Sequence, residues 1–505
     1  MTWKHARRLR QGVQVACLLL FILLLFATVQ QRLAPSLSDL FFRLNPLSAL
    51  TAMLSEKAWI PRLGLALLTI LLTIVLGRVW CGWLCPFGTL LEWARFRSAH
   101  KRAARLPVKL RTVKYFLLAV ILVLALLGNL TLAFLDPLAI FTRSMTTTII
   151  PVLNYSITSL ERLLYAVPFL RPVVDWIEGW MRGPVLPVLQ PVFSSSVLTG
   201  LFFTAILALN TLADRFWCRY LCPLGALLGW LSKISLLRPL VGKVCNHCTR
   251  CSLVCRVGAV DASAEAVTIL PEDCTVCLDC LAECKKEDIA YRPVLHPAPK
   301  TQYDLTRSEA LQAFGVGLAS LLLLRSDLRL RRRDPLLIRP PGISDESDFL
   351  SSCLRCTQCM KICPTQALQP AFDQAGVEGF WTPVLVPRIG YCDYGCTACG
   401  QVCQSGAIPR LTLEEKRQKV IGKANVNKNR CLPWASNIPC IVCEEMCPTP
   451  QKSIRLEEVN VLNAEGEEIW IQRPHVLREL CIGCGICENH CPLEGDAAIN
   501  VTSYQ

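Results

Sequence analysis

Sixteen residues of the N-terminal half occur twice in the chain. Residues 78–93 match residues 215–230 at ten positions, with an offset of 137 residues. Each copy follows an apolar run and carries a Cys-x-x-x-Cys-Pro pair, Cys81 with Cys85 and Cys218 with Cys222. The repeat therefore predicts a duplicated membrane unit that presents both cysteine pairs at one membrane face.

The apolar content supports a membrane unit. Hydrophobic residues make up 52% of the 505 residues and charged residues only 18%. Apolar runs at about 12–29, 63–80, 115–135 and 197–213 predict four spans. The basic start, Met1 to Arg10, lacks a small-residue cleavage site, so we expect a retained first helix.

The distribution of basic residues predicts the orientation. Residues 95–114 contain eight Lys or Arg, whereas residues 136–196 contain four. The positive-inside rule then places the N-terminus and both cysteine pairs on the cytoplasmic side of a bacterial inner membrane. A weaker repeat, residues 45–51 against 136–142, predicts the order helix, outer Pro-Leu turn, helix, inner cysteine pair, used twice.

The long outer connection is proline-rich. Residues 151–191 contain short apolar stretches such as 163–170. This pattern favours interfacial helices that cover the outer face. The alternative is a lid over a quinone pocket.

Cysteine spacing indicates the chemistry. Of the 29 cysteines, 28 fall into motifs, and Cys17 is left over as an apolar filler inside the first run. The C-x2-C-x2-C-x3-C spacing is typical of iron–sulfur sites rather than of a disulfide framework. A zinc site is the alternative, but it normally uses two pairs separated by a longer loop.

Two such motifs form the first candidate ferredoxin domain. In a two-cluster ferredoxin, the fourth cysteine of each motif crosses to the other cluster. We therefore expect two [4Fe–4S] sites. The first comprises Cys245, Cys248, Cys251 and Cys284, and the second comprises Cys274, Cys277, Cys280 and Cys255.

Four further motifs predict a second, four-cluster domain. Their cysteines are Cys353, Cys356, Cys359 and Cys363; Cys392, Cys396, Cys399 and Cys403; Cys431, Cys440, Cys443 and Cys447; and Cys481, Cys484, Cys487 and Cys491. The first gap is lengthened in the second and third motifs, which a ligand arriving on a loop can accommodate.

A linker precedes this second domain. The apolar stretch 310–324 is short for a span and is followed by an arginine run from Arg325 to Arg339. It could cross outward or lie flat on the inner surface, where the charges would be favourable. Residues 306–311 resemble a twin-arginine export signal that lacks its second arginine. The side of the following domain stays open.

These observations define a fold class and four regions. We predict an α-helical membrane unit of four spans arranged as a duplicated helical hairpin, with a candidate fifth short helix, plus α+β bacterial-ferredoxin-like polyferredoxin domains. The regions are residues 1–240, the membrane unit; 241–300, the two-cluster domain; 301–340, the linker; and 341–505, the four-cluster domain.

The net charge does not indicate nucleic-acid binding. The formal charge is +14. A four-iron cluster with four thiolates carries about −2, so six clusters contribute about −12. The loaded protein would be nearly neutral.

The chain resembles two known families. Residues 1–290, with their repeated Trp-Cys-x-x-Leu-Cys-Pro-x-Gly elements, resemble NapH-type membrane quinol-dehydrogenase ferredoxins and the membrane region of nitrous-oxide-reductase regulators. Residues 340–505, which include Cys353 to Pro364, resemble NapG/MauM-type four-cluster ferredoxins. The chain is thus similar to a fusion of the two. By analogy, the first and fourth motifs of the C-terminal domain would exchange their last cysteines, as would the second and third.

The resemblance implies electron transfer. We expect quinol or menaquinol as the exchangeable substrate, and a reductase or multihaem cytochrome subunit as the partner, reached through at least six [4Fe–4S] clusters. The direction of flow is not fixed by the ligands, because cluster potentials span roughly −700 to +450 mV. An alternative function is an electron-donating assembly or regulatory protein for maturation of a metalloenzyme.

The paired cysteines allow three interpretations. As i, i+4 pairs on helix faces, Cys81, Cys85, Cys218 and Cys222 could together hold a seventh cluster. They could instead form a thiol–disulfide relay, or act structurally as helix caps. Arg78 and Arg215 could favour thiolates or anionic lipid, although membrane-edge snorkelling is the simpler expectation.

Overall fold

The fold was analysed in a computed structural model, which describes residues 3–29, 37, 39–95, 106–182, 190–262, 267–286, 288–298, 301, 304–325, 334–372, 374–462 and 468–503. Much of the predicted inner basic loop, residues 96–105, and of the arginine run, residues 326–333, lies outside the described residues. The chain forms two compact units. The first comprises residues 1–27, 36–148 and 197–323, and the second comprises residues 28–35, 149–196 and 324–505.

Helices dominate the first unit and short strands accompany the cysteine motifs. The helices are α1 Trp3–Val29, α2 Leu40–Arg43, α3 Pro46–Glu56, α4 Ala66–Leu76, α5 Pro86–Trp93, α6 Thr112–Leu126, α7 Pro137–Ser144, α8 Ile150–Tyr165, α9 Arg171–Met181, α10 Ser196–Ala208, α11 Pro223–Ser232, α12 Arg250–Val254, α13 Asp279–Glu283, α14 Arg307–Arg325, α15 Glu346–Ser352, α16 Gln358–Ile362, α17 Ala398–Val402, α18 Leu413–Gln418, α19 Leu432–Ala435, α20 Val442–Glu445 and α21 Ile486–Asn489. Single π-helical turns occupy Trp80–Leu84, Met145–Ile149 and Trp217–Leu221.

The described strands pair two by two in antiparallel sheets. The pairs are β1 Leu237–Val241 with β4 Ile289–Pro293, β2 Val260–Asp261 with β3 Thr268–Ile269, β5 Leu368–Pro370 with β6 Pro383–Leu385, β7 Gly422–Val426 with β10 Ile499–Ser503, and β8 Ile454–Leu462 with β9 Glu468–Val476. In the register of the first pair, Leu237 faces Pro293 and Val241 faces Ile289. These small sheets with short helices match the expected ferredoxin-like α+β domains.

The two copies of the repeat pack across each other. The first copy contributes α3, α4 and α5, and the second contributes α7, α10 and α11. The helix after each cysteine pair lies against the Pro-Leu helix of the other copy, α5 against α7 and α11 against α3. Phe87 of α5 and Phe141 of α7 meet in this interface, with ring centroids 5.8 Å apart. The duplication is therefore visible as an internal pseudo-symmetry.

The Pro-Leu helices begin side by side. Asn45 and Asp136 cap α3 and α7, and Pro46 and Pro137 occupy the first helical position, where a missing N–H costs nothing. The Asn45 side-chain amide also donates to the Asp136 carboxylate at 2.6 Å, and both residues are buried. One hydrogen bond thus joins the two copies at the starts of their Pro-Leu helices.

The four-span prediction is only partly met. Among the described helices, one is long and apolar enough to cross a membrane, residues 3–28, with a mean hydropathy of 2.2. The apolar helices at 61–76 and 196–211 are shorter, and the third predicted run splits into α6 and a 3-10 turn, Thr131–Leu135. A membrane anchor at the N-terminus is thereby weakly supported.

The linker helix lies beside α6. The predicted short stretch forms α14, in which Thr306 and Glu309 make the reciprocal hydrogen bonds of a capping box. Ala313 and Leu321 pack with Val120 and Leu124 in one apolar cluster. The stretch that resembles an export signal therefore also starts a packed helix.

The proline-rich connection forms a helical hairpin in the second unit. Arg182, after α9, bonds three side chains of α8: Asn154, Thr158 and Glu161. Both helices leave large apolar side chains exposed, including Leu163 of α8 and Trp176 of α9. This arrangement fits the interfacial-helix expectation, although the quinone-lid alternative stays untested.

The Asn45–Asp136 contact gives a stability prediction. Asp136→Ala removes the cap of α7, which should lower the free energy of unfolding by about 1 kcal/mol. It also leaves the buried Asn45 amide without that acceptor, which should lower it by about 1–3 kcal/mol. Denaturant unfolding in detergent should show the summed loss. Asp345→Ala is the control, because Asp345 caps α15 in the same way but is exposed. Equal losses for both variants would contradict the role of the cross-repeat bond.

Candidate iron–sulfur and paired-cysteine sites

The strict ferredoxin motifs share one backbone shape. In each C-x2-C-x2-C loop, the residue before the second cysteine and the residue after it have positive φ. The last motif of the chain, around Cys484, has glycine at these two positions, Gly483 and Gly485. The motif around Cys248 instead has His247 and Thr249, with φ of 55° and 56°. A left-handed residue other than glycine is strained by roughly 1–3 kcal/mol. The strain turns successive cysteines toward a common centre.

In the first ferredoxin domain, cysteines of two motifs meet. A cavity is lined by Cys255, Cys274, Cys277 and Cys280. Burial first, and then the neighbouring thiols, among them Cys255, raise the pKa of Cys280. This is the grouping expected from crossed fourth cysteines.

The other four cysteines of this domain are less enclosed. Burial raises the pKa of Cys251, and the neighbouring thiols of Cys245 and Cys248 raise it further. Cys251 and Cys284 pack against the same apolar cluster around Leu281. Their shared role as ligands remains a proposal.

The four-cluster domain groups its cysteines differently from our expectation. One cavity is lined by Cys353, Cys356, Cys359 and Cys403. Burial raises the pKa of Cys392 to about 11, with Cys363 and Cys396 adding to the shift. The first and second motifs therefore exchange their last cysteines.

The third and fourth motifs form the other pair. One cavity is lined by Cys431, Cys440, Cys443 and Cys491, and another by Cys447, Cys481, Cys484 and Cys487. The predicted exchange of first with fourth and second with third is thus wrong. Motifs next to each other in sequence pair because a short connection brings their helices into contact, as α16 contacts α17 and α20 contacts α21.

Backbone amides donate to many of the candidate ligand sulfurs. The N–H groups of Ala259, Ile408, Ser453 and Ala498 lie 3.1–3.4 Å from the last cysteine of their motifs, Cys255, Cys403, Cys447 and Cys491. A thiolate accepts such bonds, and N–H···S bonds tune cluster potentials. The donor set therefore fits iron–sulfur clusters.

Single-ion sites are not found among the described residues, where no three His, Cys, Asp or Glu side chains converge as a metal-ion site would require. A [4Fe–4S] cluster binds its four thiolates through different irons, so its ligands surround a larger volume.

The i, i+4 spacing predicted that the two cysteines of each pair lie on one helix face. The structure shows that they do not. Cys81 and Cys218 lie within π-helical turns, and Cys85 and Cys222 begin the next helices with extended backbone. Proline at the following position excludes helical backbone at the second cysteine. The sulfurs of Cys85 and Cys222 accept the amide N–H of the glycine three residues on, at 3.4 and 3.2 Å. The helix-cap interpretation is therefore seen, and it leaves the sulfurs available to a metal.

The two pairs lie close to each other in the first unit, where Arg215 of the second copy donates to the Cys81 carbonyl of the first. Burial, and then Cys81 and Cys218, raise the pKa of Cys85. Burial also raises the pKa of Cys222, followed by Cys218, Cys81 and Cys85. The pseudo-symmetry of the repeats thus brings the four paired-cysteine thiols together as a candidate four-thiol site.

Arginines of the repeats surround this site instead of snorkelling. Arg78 and Arg215 are each only 2% exposed. The Arg78 guanidinium lies 3.8 Å from the Cys81 sulfur and donates to the Glu272 carbonyl at 2.7 Å. Arg215 donates to the Cys81 carbonyl at 2.9 Å. The snorkelling expectation is wrong because both side chains turn inward.

The four-thiol site lies against a ferredoxin loop. Trp83 donates to the Val276 carbonyl at 2.9 Å, and a Cβ at Gly82 would lie 1.8 Å from the Thr275 carbonyl oxygen. These residues flank Cys274. Only glycine permits this approach, so the duplicated helical unit is in direct contact with the loop that lines one cysteine cavity.

Buried carboxylates at this junction were missed in the sequence. Glu92 is contacted by Arg10 and Arg256 and lies 4.0 Å from Arg215. Burial would raise the pKa of Glu92, but the three guanidinium groups lower it to about 2. Asp273 similarly binds Lys114 at 2.6 Å and Arg111 at 2.7 Å. The only sequence signal was a carboxylate next to each cysteine motif.

The comparisons with known proteins agree with the iron–sulfur assignment. A 4Fe-4S binding domain family matches residues 59–104 and 196–243, the two cysteine-pair copies, and a second family of that description matches residues 474–494. The chain is 36% identical over 167 residues to the methylamine utilization ferredoxin-type protein MauM of Methylorubrum extorquens, covering 32% of this chain and 71% of that protein. It is 35% identical over 170 residues to the ferredoxin-type protein NapG of Escherichia coli, covering 33% and 71%.

The chain belongs to the NapG and MauM family of ferredoxin-type proteins. It is also 32% identical over 162 residues to the ferredoxin-type protein NapF of Escherichia coli, covering 32% of this chain and 84% of that protein. No solved structure matches the chain. The family is one of [4Fe–4S] ferredoxin-type electron carriers, as the motifs indicated.

The close approach at Gly82 gives a second prediction. Gly82→Ala places a methyl group against the Thr275 backbone, which must shift, so unfolding in detergent should lose at least about 1–3 kcal/mol. The control is Gly12→Ala in α1, where a Cβ meets nothing within 4 Å. Unchanged stability in both variants would show that the loop contact is not maintained.

Proposed function

We propose that the chain is a membrane-bound polyferredoxin that transfers electrons between the quinol pool and a partner reductase or cytochrome. The observation that carries this proposal is the contact between a buried four-thiol site in the helical unit and the loop that carries Cys274. An electron carrier without a membrane donor would need no such junction.

We assign six [4Fe–4S] clusters to the 24 ferredoxin-motif cysteines and a seventh to Cys81, Cys85, Cys218 and Cys222. When bound, such clusters accept and release one electron each. The protein supplies the thiolates, the N–H···S bonds and the burial that separates them from water. The 4Fe-4S binding domain match over both cysteine pairs supports the seventh site.

We assign four membrane-spanning segments to α1, α4, α6 and α10, in a bacterial inner membrane with the N-terminus cytoplasmic. A 16-residue helix covers only about 24 Å, but the π-helical turns Trp80–Leu84 and Trp217–Leu221 follow the segments at 61–76 and 196–211. The exposed leucines of α4, among them Leu67, Leu68 and Leu71, would face lipid.

We assign the four-cluster domain to the outer side of the membrane. Both α6 and α14 start near the Glu272–Asp273 loop, where Lys114 binds Asp273 and Lys233 contacts both Glu272 and Asp304. Gly317 of α14 then meets Val123 of α6, so the two helices run in the same direction. α14 would then be a fifth, short crossing, and the chain would leave the membrane at the outer end.

Contacts within the second unit support this side. The backbone N–H of Val192 donates to Gln366, and Gln369 donates to the Val192 carbonyl at 3.0 Å. Phe193 lies in the apolar core of the four-cluster domain. Residues 136–196 are the segment that the positive-inside rule places outside.

Quinol oxidation is tested with the purified full-length chain in detergent. We expect a menaquinol analogue to reduce a substantial share of the clusters under anaerobic conditions. EPR spin counting after this reduction measures that share. Iron should approach about 28 atoms per chain for seven clusters, rather than about 24 for six. Cys274→Ser should lose about four irons and Cys17→Ser none. If dithionite reduces the clusters but the menaquinol analogue does not, quinol is not the donor, and a maturation role is favoured.

The side of the four-cluster domain is tested in intact spheroplasts. The chain carries one epitope tag at each terminus. Trypsin added outside should remove the C-terminal tag and leave the N-terminal tag, because only the former would be outside. A C-terminal tag that survives until lysis would place the domain inside.

A further inference from the structure

The arginines at the paired-cysteine site cross between the repeats. A Cβ at Gly88 would lie 2.6 Å from a terminal nitrogen of Arg215, and one at Gly225 would lie 2.9 Å from the same nitrogen of Arg78. Each guanidinium therefore lies over the helix start that the other copy's cysteine caps. The identical glycines of the repeat leave room for these two side chains.

The arginines retain donor capacity at the site. The Nε atoms of Arg78 and Arg215 are buried and have no acceptor among the described residues. The same is true of the indole N–H groups of Trp80 and Trp217, which precede the first cysteine of each pair. A buried donor without an acceptor costs roughly 1–3 kcal/mol. Four such donors in two equivalent pairs indicate that an acceptor belongs in this region.

The charge balance around each arginine differs from that of a structural ion pair. The Arg215 guanidinium reaches the Glu92 carboxylate only at 4.0 Å, and Glu92 is shared with Arg10 and Arg256. The terminal nitrogens of Arg78 contact a backbone carbonyl and the Cys81 sulfur. The nearest carboxylates, Glu92 for Arg215 and Asp273 for Arg78, are each also bound by other cations, so the remaining charged neighbours of both arginines are the paired-cysteine thiols. Burying a charge in this way is unfavourable unless an anion is present.

We propose that Arg78 and Arg215 are positioning residues for an anionic iron–sulfur group held by Cys81, Cys85, Cys218 and Cys222. Their charge favours the reduced form of that group. This inference rests on the ligand set proposed above. Reduction adds one electron, and hence one negative charge, without a bond to either arginine. Loss of a buried cation nearby therefore lowers the reduction potential.

The alternative use of the four thiols predicts different chemistry. A thiol–disulfide relay would exchange two electrons per disulfide and would need no iron. Both cations would then favour the attacking thiolate. Iron content and the number of electrons per step distinguish the two cases.

The test is an EPR-monitored dithionite titration of the full chain in detergent. The signal of the paired-cysteine group is the one that Cys218→Ser removes together with about four irons. Arg78→Gln and Arg215→Gln should each keep the iron and shift that signal's reduction equilibrium at least about tenfold toward the oxidised form, or 59 mV for a one-electron couple. Arg78→Lys and Arg215→Lys should restore most of the shift, because lysine keeps the charge.

Arg238→Gln is the matched control. Arg238 is also buried, but it donates only to the backbone carbonyls of Lys233 and Ser235. It should leave the signal unmoved. If the signal is unshifted in both glutamine variants, or if lysine and glutamine lose the iron equally, the arginines act in folding and the inference is overturned. If the wild-type chain has no signal that Cys218→Ser removes, the proposed ligand set itself is wrong.

Discussion

The structure depends on one constraint, that separate parts of the chain must each deliver thiols to a common centre. In the four cysteine cavities described above, the last cysteine of one motif joins the first three of its neighbour, as Cys255 does beside Cys274. In the duplicated unit, the two halves deliver two thiols each. A chain that did not fold both partners together would leave each site incomplete. Site assembly and tertiary folding are therefore the same event.

The charges follow from that constraint. Clusters ligated by four thiolates are anionic, and the formal charge of the chain is +14. Part of this charge is buried at the junction between the helices and the first ferredoxin domain, where Lys114 is 0% exposed and Arg10 is 0% exposed. Glu92 and Asp273 offset these cations. Residues that counted as inner-loop positive charge in the sequence, Arg111 and Lys114, thus also form buried ion pairs.

The sequence predicted what depends on spacing and periodicity. The cysteine motifs indicated the ferredoxin-like domains, and the repeat indicated a duplicated unit with both cysteine pairs together. Partner choice among the four C-terminal motifs could not be read from spacing, because the pairing depends on which helices come into contact in the folded domain. The sequence did not predict the π-helical turns at Cys81 and Cys218 either. Proline after the second cysteine ends one helix and starts another, although the i, i+4 spacing suggested a single face.

The burial of Arg78 and Arg215 could not be predicted from the sequence, since an arginine beside an apolar run is most simply placed at the membrane edge. Only the crossed packing of the copies turns both side chains inward. That symmetry ends at the ferredoxin domain. The residue after the first cysteine is Gly82 in one copy and Arg219 in the other. Gly82 allows contact with Thr275, whereas Arg219 extends to Gly258, where a Cβ would lie 2.5 Å from its guanidinium.

Thr275 follows Cys274, and Gly258 follows Cys255 by three residues, so both copies contact the two segments that line a single cavity. A symmetric contact could not achieve this, because the two segments differ in shape and distance. The repeat is thus identical where it builds the four-thiol site and different where it meets its neighbour. That division is what a duplicated unit would require in order to serve the proposed asymmetric electron path.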